Sequence, residues 1–176
     1  GVERAIAESP ARIKRICIDL IEHYKTHIQP DGFKAMIVTG SRNACTVYKN
    51  ELDKLGAPPS SVIISGDHND EPHIAQYTDK VQQKQNIKNF TKPFGKDVAG
   101  VNENDKKFDN TAFIIVKDML LTGFDAPILG VMYIDRSLKE HTLMQAIARV
   151  NRNYKGKSRG YVVDYFGLAN NLQDAM

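Results

Sequence analysis

Thiols are scarce in this sequence, which contains two cysteines among 176 residues. Cys17 and Cys45 each fall within an apolar pattern typical of a helix, and neither belongs to a CxxC pair. No histidine accompanies them at the spacing of metal ligands. The pattern predicts reduced core thiols in a cytoplasmic protein and no metal ligands in this chain.

Long apolar runs are absent too. No run approaches the roughly 20 residues that a helix needs to cross a bilayer, and the start, Gly-Val-Glu-Arg, lacks the apolar stretch of a signal peptide. We therefore expect no membrane partner. The sequence does not begin with methionine, which predicts a piece of a longer protein.

Motifs that bind and hydrolyse a nucleoside triphosphate are also missing. The sequence has no GxxxxGK[ST] loop, and no Asp-Glu pair follows an apolar run as a magnesium site would require. It has no recognisable nuclease motif of carboxylates and lysine either. We therefore expect the chain to be inactive by itself.

What the sequence contains is typical of one soluble globular domain, with 41% hydrophobic and 26% charged residues. Its length allows a sizeable buried core. The formal charge of +3 and the pI near 8.8 are compatible with a polyanionic partner. Many proteins without such a partner share these values, so they decide little.

Five short apolar runs predict buried strands. They lie at residues 35–39, 62–65, 113–116, 131–134 and 161–163. Because the runs are continuous, with no polar alternation, we expect a parallel sheet with helices on both faces. Helices are predicted after Ser9, after Ser41 and after a capping box at 137–140, the last running to about Asn153. The alternation favours an open, doubly wound α/β fold of about five or six strands.

We interpret residues 1–176 as a single domain with three distinct parts. Residues 1–30 are expected to form a leading helix, and residues 168–176 the start of a following helical segment. Residues 73–110 are a polar excursion with one polar helix. A loop this long in a compact domain is typically functional or mobile.

Residues that follow the strands are the first candidates for a site, because open α/β sheets bind ligands at the carboxyl ends of their strands. After the first strand, Thr39, Ser41 and Arg42 place two hydroxyls and a guanidinium at a helix N-terminus. Backbone N–H groups and the helix dipole suit a phosphate there. The alternative is plain capping by Ser41 beside a solvated Arg42.

After the third strand, residues 117–127 include Thr-Gly-x-Asp followed by Ala-Pro. Gly123 allows close backbone approach, Thr122 offers a hydroxyl, and Asp125 can orient a cation or a ribose hydroxyl. The alternative is a turn with an Asx-type hydrogen bond.

The third candidate lies on the helix after the fourth strand. Gln145, Arg149 and Arg152 are four and three residues apart and therefore share one face. Small Ala146 and Ala148 between them would fit a guanidinium pair presented to a phosphate across an interface. The alternative is a solvated basic face.

In this order, the three segments resemble the second RecA-like domain of superfamily 2 helicases and translocases. The resemblance extends from about Lys34 to Gly167. The motif Gln-x-x-Gly-Arg-x-x-Arg of that superfamily reads Gln-Ala-Ile-Ala-Arg-Val-Asn-Arg at 145–152, with Ala148 in place of glycine. This wording, with residues 118–127 and Val-Asp-Tyr at 163–165, is similar to the restriction subunit of type I restriction-modification enzymes.

The resemblance implies an ATP-dependent translocase on double-stranded DNA, with ATP and Mg²⁺ held mainly by a first lobe outside this chain. Arg149 and Arg152 would be arginine fingers that stabilise charge on the phosphates, and Gln145 would sense the nucleotide. Gly123 and Asp125 would couple nucleotide to DNA. Contacts with the DNA backbone are implied for Thr39, Ser41, Arg42 and Thr122. The implied partners are the first lobe and nuclease domain of the same subunit, and the modification and specificity subunits.

Two other functions remain open. One is the matching lobe of an RNA or excision-repair helicase, against which Ala148 and Asn151 argue. The other is a non-catalytic nucleic-acid-binding module, against which the arginine pair argues.

A basic stripe lies outside these motifs. Lysines recur every four residues, at Lys80, Lys84, Lys88 and Lys92. On a helix they would share one face, which either follows a DNA backbone or is solvated surface.

Overall fold

The structure, a computed structural model, describes residues 1–151 and 160–167. Its α-helices are α1 (Val2–Ala7), α2 (Pro10–His27), α3 (Arg42–Lys54), α4 (Pro72–Ala75), α5 (Lys80–Phe90) and α6 (Glu140–Val150). Its strands are β1 (Lys34–Thr39), β2 (Ser60–Ile63), β3 (Phe113–Val116), β4 (Leu129–Asp135) and β5 (Tyr161–Asp164). Within these ranges, no helix has the length and apolar character that spanning a membrane requires.

The strands form one five-stranded sheet in the order β2-β3-β1-β4-β5, and all neighbouring strands are parallel. β1 lies at the centre, where Ala35 is opposite Phe113 of β3 and Val131 of β4. Residues from α2 and α3 cover one face of the sheet, and residues from α5 and α6 cover the other. The predicted open parallel sheet with helices on both faces is confirmed.

Helix α2 buries one face against the sheet, as its apolar periodicity predicts. Its buried residues are Ile13, Cys17, Leu20 and Tyr24. Cys17 and Cys45 are both free and buried. Burial raises the pKa of each thiol to about 12, as expected for unreactive core groups.

Helix α3 begins at its predicted N-cap. The Ser41 hydroxyl accepts a hydrogen bond of 3.0 Å from the backbone N–H of Ala44, which satisfies one of the free donors at the helix start. The helix ends at Lys54, and Gly56 follows with a φ of +68°. A left-handed backbone of this kind favours glycine.

Helix α6 begins later than predicted, so the capping box at 137–140 is wrong. The N-cap is Lys139, which makes no side-chain capping bond, and Glu140 is the first helical residue. Arg136 Nε donates to Ser137 O, which holds Ser137 in the turn after β4. The helix ends at Val150, and residues 152–159, which include Arg152, lie outside the described ranges.

Strand β2 lies two residues before its predicted position. Ser60 and Ser61 pair with Phe113 and Ile114 of β3, although their side chains are polar. An apolar run cannot reveal such residues, because pairing depends on the neighbouring backbone. Ile64 and Ser65 follow the strand, and their carbonyls accept side-chain hydrogen bonds from Gln83 and Arg42.

The polar excursion covers a buried lysine at the start of β1. Lys34 is fully buried, and its Nζ donates to Asp109 O at 3.0 Å. The ammonium lies 5.0 Å from the centroid of the Phe94 ring and 5.5 Å from that of Phe90. Burial lowers the pKa of Lys34 to about 8.

Candidate nucleic-acid and nucleotide interface

The turn after β1 uses its hydroxyls inside the protein. Thr39 is fully buried, and its hydroxyl donates to Ser41 O at 2.9 Å. The Ser41 hydroxyl donates to Glu8 Oε1 while it accepts from Ala44. Thr39 therefore stabilises the turn, and the Ser41 hydroxyl bonds both to Glu8 and to the start of α3.

Glu8 places a carboxylate at the N-terminus of α3. Besides the bond from Ser41, it accepts hydrogen bonds of 2.8 Å from Asn43 Nδ2 and from Arg4 Nε. Burial alone would raise the pKa of Glu8, but these donors together hold it below its ordinary value. The Glu8 carboxylate thus occupies a position suited to an anion.

Arg42 is held by a second carboxylate. Its Nη1 donates to Asp70 Oδ2 at 2.6 Å and to Ser65 O at 3.0 Å. This bond holds the pKa of Asp70 below its ordinary value and raises the pKa of Arg42. The guanidinium predicted to meet a phosphate is therefore ion-paired in this conformation.

Neither Glu8 nor Asp70 was identified from the sequence. Glu8 lies 33 residues from Ser41, and Asp70 lies 28 residues from Arg42. No local pattern marks such pairs, because only the packing of the chain brings them together.

The loop after β3 contains an unusual backbone conformation. Among the described residues, Leu120 is the one non-glycine residue with a positive φ, of 68°. Such a conformation costs about 1 kcal/mol or more and is frequent at functional sites. Three residues later, Gly123 has a φ of +77°, and Thr122, Gly123 and Asp125 are all exposed.

Helix α6 is joined to this loop through Arg149. Its Nη1 donates to Leu120 O at 2.9 Å, and the side chain is half-buried. No carboxylate in residues 1–151 or 160–167 forms an ion pair with it, so its charge is not neutralised there. The predicted guanidinium of α6 and the predicted Thr-Gly-x-Asp loop therefore form one surface.

The position of Arg149 follows from the topology. Because α6 connects two parallel strands, it runs from the carboxyl edge of the sheet back toward the amino edge. At about 1.5 Å per residue, Arg149 lies roughly 14 Å from the helix start. Gln145 is exposed one turn before it, whereas Ala146 is buried in the core. Gln145 and Arg149, the candidate nucleotide-binding residues on α6, thus lie over a face of the sheet and not at the ends of the strands.

The basic stripe is partly realised on α5. Lys80, Lys84 and Lys88 are exposed on this helix, while Lys92 follows its end and donates to Asn89 Oδ1. Lys80 and Lys84 line a groove of about 440 Å³ that also includes Met119 of the loop after β3.

Arg136 is a further cation that no motif revealed. Its Nη1 donates to Lys117 O at 3.0 Å and to Asp118 Oδ1 at 2.8 Å, which connects the loops after β4 and β3. Burial would raise the pKa of Asp118, but the bond from Arg136 and the nearby Lys117 hold it below its ordinary value.

Comparison with known proteins decides the family. The model for type I restriction enzyme subunit R domain 3 matches residues 60–167. The chain belongs to the type I restriction enzyme R subunits. A protein of Methanocaldococcus jannaschii assigned as the MjaIXP type I restriction enzyme endonuclease subunit is 38% identical over 165 residues, 93% of this chain and 15% of that protein.

This R-subunit chain therefore represents a small part of its relatives. It spans 15% to 17% of the length of the curated relatives that it matches over at least 93% of its own length. The family assignment applies to the region compared, in which the three candidate motifs lie.

Solved structures show the fold of the R-subunit chain. A fragment assigned to the HsdR subunit of a type I restriction enzyme from Vibrio vulnificus YJ016 has a TM-score of 0.67 at 16% identity, over 98% of this chain and 30% of that chain. Domain 2 of the DEAD-box helicase Mss116p, solved with an RNA duplex, has a TM-score of 0.53 at 18% identity, over 93% of this chain and 56% of that one. The fold is that of a RecA-like helicase lobe, as predicted.

Proposed function

We propose that the chain is the second motor lobe of an ATP-dependent double-stranded DNA translocase within a type I restriction enzyme. The hydrogen bond from Arg149 to Leu120 O carries this proposal. It places the guanidinium of α6 directly beside the loop with Thr122, Gly123 and Asp125. A surface for nucleotide phosphates and a surface for DNA would then share one loop.

Arg149 suits a triphosphate supplied by another lobe. Its bond to Leu120 O occupies one of five N–H donors, and no carboxylate in the described part of the chain neutralises it. ATP, with Mg²⁺ held mainly by the first lobe, would supply the anhydride bond to be hydrolysed. Arg149, with Arg152 outside the described ranges, would stabilise charge on the departing phosphoryl group. Gln145 would sense the nucleotide from the same helix face.

DNA contacts would come from the carboxyl edge of the sheet. Thr122 is exposed there, whereas Ser41 and Arg42 are held by Glu8 and Asp70. Backbone phosphates would replace these carboxylates as hydrogen-bond acceptors. Thr39, whose hydroxyl is buried, would support DNA binding by shaping the turn. Gly123 and Asp125 would transmit the state of the nucleotide to these contacts.

The complete subunit would hydrolyse ATP and cleave DNA together with a nuclease domain, a modification subunit and a specificity subunit. This chain alone would do neither, because its sequence has no phosphate-binding loop and no magnesium motif.

The test is Arg149→Ala in the intact subunit. We expect DNA-stimulated ATP turnover to fall about a thousandfold or more, as when an arginine finger is removed. Exposed Arg15 on α2 provides the control, and Arg15→Ala should leave turnover unchanged. Near-normal turnover of Arg149→Ala would reject the proposal, and stimulation by duplex RNA but not duplex DNA would favour an RNA helicase lobe.

A further inference from the structure

A groove at the carboxyl edge of the sheet has no assigned role. It lies between the loop after β3 and the turn that joins β4 to α6, and its volume is about 500 Å³. We call it the Lys139 groove. Its polar lining consists of Asp118, Thr122, Arg136, Ser137, Lys139 and Thr142.

Four of the side chains that line the Lys139 groove have donors that are not used within the described protein. In residues 1–151 and 160–167, the hydroxyls of Thr122, Ser137 and Thr142 form no hydrogen bond, and Lys139 forms no ion pair. Thr122, Ser137 and Lys139 are exposed, and Thr142 is half-buried. Three hydroxyls and an ammonium therefore face one space with their donors available.

The charge of the groove favours an anion. Among the described residues, Asp118 is the one carboxylate in its lining, and it is held by Arg136 at 2.8 Å and Lys117 at 3.4 Å. These two cations offset the Asp118 charge, so the positive charge of Lys139 adds to the excess. Glu140, the next residue, is exposed and does not line the groove.

The donor set matches a phosphate group. Hydroxyl and ammonium donors are typical contacts of phosphodiester oxygens, and they position a nucleic acid without reading its sequence. Lysine binds such a group as a point charge and needs no bidentate geometry. The groove already contains Thr122, which the proposed function assigns to the DNA backbone.

We propose that the Lys139 groove binds a backbone phosphate of the DNA through Lys139, Ser137 and Thr142, next to the phosphate that Thr122 contacts. This rests on the proposed function and adds Lys139, Ser137 and Thr142 as DNA contacts. DNA would then contact the first turn of α6, whose last turn carries Arg149. One helix would connect the DNA phosphate to the nucleotide phosphates.

The experiment uses the full-length subunit and short duplex DNA, with affinity measured over a series of salt concentrations. Lys139→Ala should weaken binding equally for all duplex sequences and lower the slope of log K against log salt by about 1. Ser137→Ala combined with Thr142→Val should weaken binding with little change of slope, because neutral donors release no counterion. Exposed Lys25 on α2 is the matched control, and Lys25→Ala should change neither quantity.

The source of the phosphate is tested on the same variants. Basal ATP turnover without DNA and the KM for ATP should stay unchanged in Lys139→Ala. A raised KM with unchanged DNA affinity would show that the groove binds the nucleotide, and would overturn the proposal. Unchanged DNA affinity and salt slope in Lys139→Ala would also overturn it. The proposed function would survive both results if Thr122→Ala weakened DNA binding and Arg149→Ala abolished turnover.

Discussion

Arg42 and Arg149 are both predicted to meet phosphates, but their surroundings differ. Arg42 is paired with Asp70 at 2.6 Å, so an incoming phosphate must replace a carboxylate. Arg149 donates to the neutral carbonyl of Leu120, and within residues 1–151 and 160–167 no carboxylate forms an ion pair with it. Moving it from a carbonyl to a phosphate exchanges a neutral acceptor for a charged one, which adds the attraction of opposite charges to the hydrogen bond. We therefore expect a phosphate to recruit Arg149 more readily than Arg42.

At the same scale, Lys34 predicts a pH dependence of stability. Its pKa is lowered from 10.5 to about 8 by burial, so between these values the unfolded chain binds more protons than the folded chain. The free energy of unfolding should therefore rise with pH through this window. Below pH 8, the full cost of burying the Lys34 ammonium lowers the free energy of unfolding. Lys34→Met removes this contribution, and its stability relative to the parent should fall by on the order of 3 kcal/mol from pH 8 to 10.5.

Urea unfolding of the 176-residue chain at several pH values between 7 and 10.5 measures this difference. Lys25→Met, at an exposed position on α2, is the control and should show no such trend. Parallel curves for Lys34→Met and its parent would mean that Lys34 titrates normally in the fold.

At the scale of the element, a capping side chain must bond to the helix to stabilise it. Ser41 caps α3 through Ala44 N, whereas Ser9 stands at the N-cap of α2 without a side-chain bond. Helix α6 has Lys139 at its N-cap, which makes no side-chain capping bond. Residue type therefore identifies the helix start in two cases, but only the geometry shows which serine stabilises its helix.

This difference predicts unequal effects of two alanine substitutions. Ser41→Ala should lower the free energy of unfolding by about 1 kcal/mol, because Ala44 N loses its acceptor and Glu8 loses a donor. Ser9→Ala is the matched control and should change stability by a few tenths of a kcal/mol at most. Equal losses measured by urea unfolding would contradict the structural distinction between the two N-caps.

At the scale of the whole molecule, a partly buried ion pair ties helix α2 to the sheet. Arg12 of α2 donates to both carboxylate oxygens of Asp135 at the end of β4, at 2.8 and 2.6 Å. Tyr48 of α3 donates to Asp135 Oδ2 at 2.8 Å. Three elements thus meet on one carboxylate. The hydrogen bonds from Arg12 to Asp135 raise the pKa of Arg12. Arg12 Nη1 also donates to Ala7 O at 3.2 Å, so the same guanidinium contacts the end of α1, next to Glu8.

Breaking this contact should destabilise the whole domain. Asp135→Asn leaves the Arg12 guanidinium without a charged partner, and we expect a loss on the order of 3 kcal/mol in the free energy of unfolding. Asp105→Asn, at an exposed position, should be nearly neutral and serves as the control. If Asp135→Asn lowered the free energy of unfolding by less than about 1 kcal/mol, water would be replacing the carboxylate as a partner of Arg12 at little cost.

The sequence by itself determined the approximate positions of the strands, the amphipathic α2 and the Ser41 cap. These features depend on neighbouring residues, so periodicity and local hydrogen bonding are enough to predict them. The family was predicted as well, because its motifs at 118–127 and 145–152 are continuous in the chain. Gln145, Arg149 and Thr122 were thereby singled out before any packing was known.

Only the tertiary structure decided what these side chains contact. Arg149 meets Leu120 across 29 residues, and Arg12 meets Asp135 across 123. Such pairings depend on the order of the strands and on the covering helices, which no local pattern encodes. The start of α6 and the Lys139 groove follow from the same cause, because the turn after β4 is shaped by Arg136 and its contacts with a distant loop.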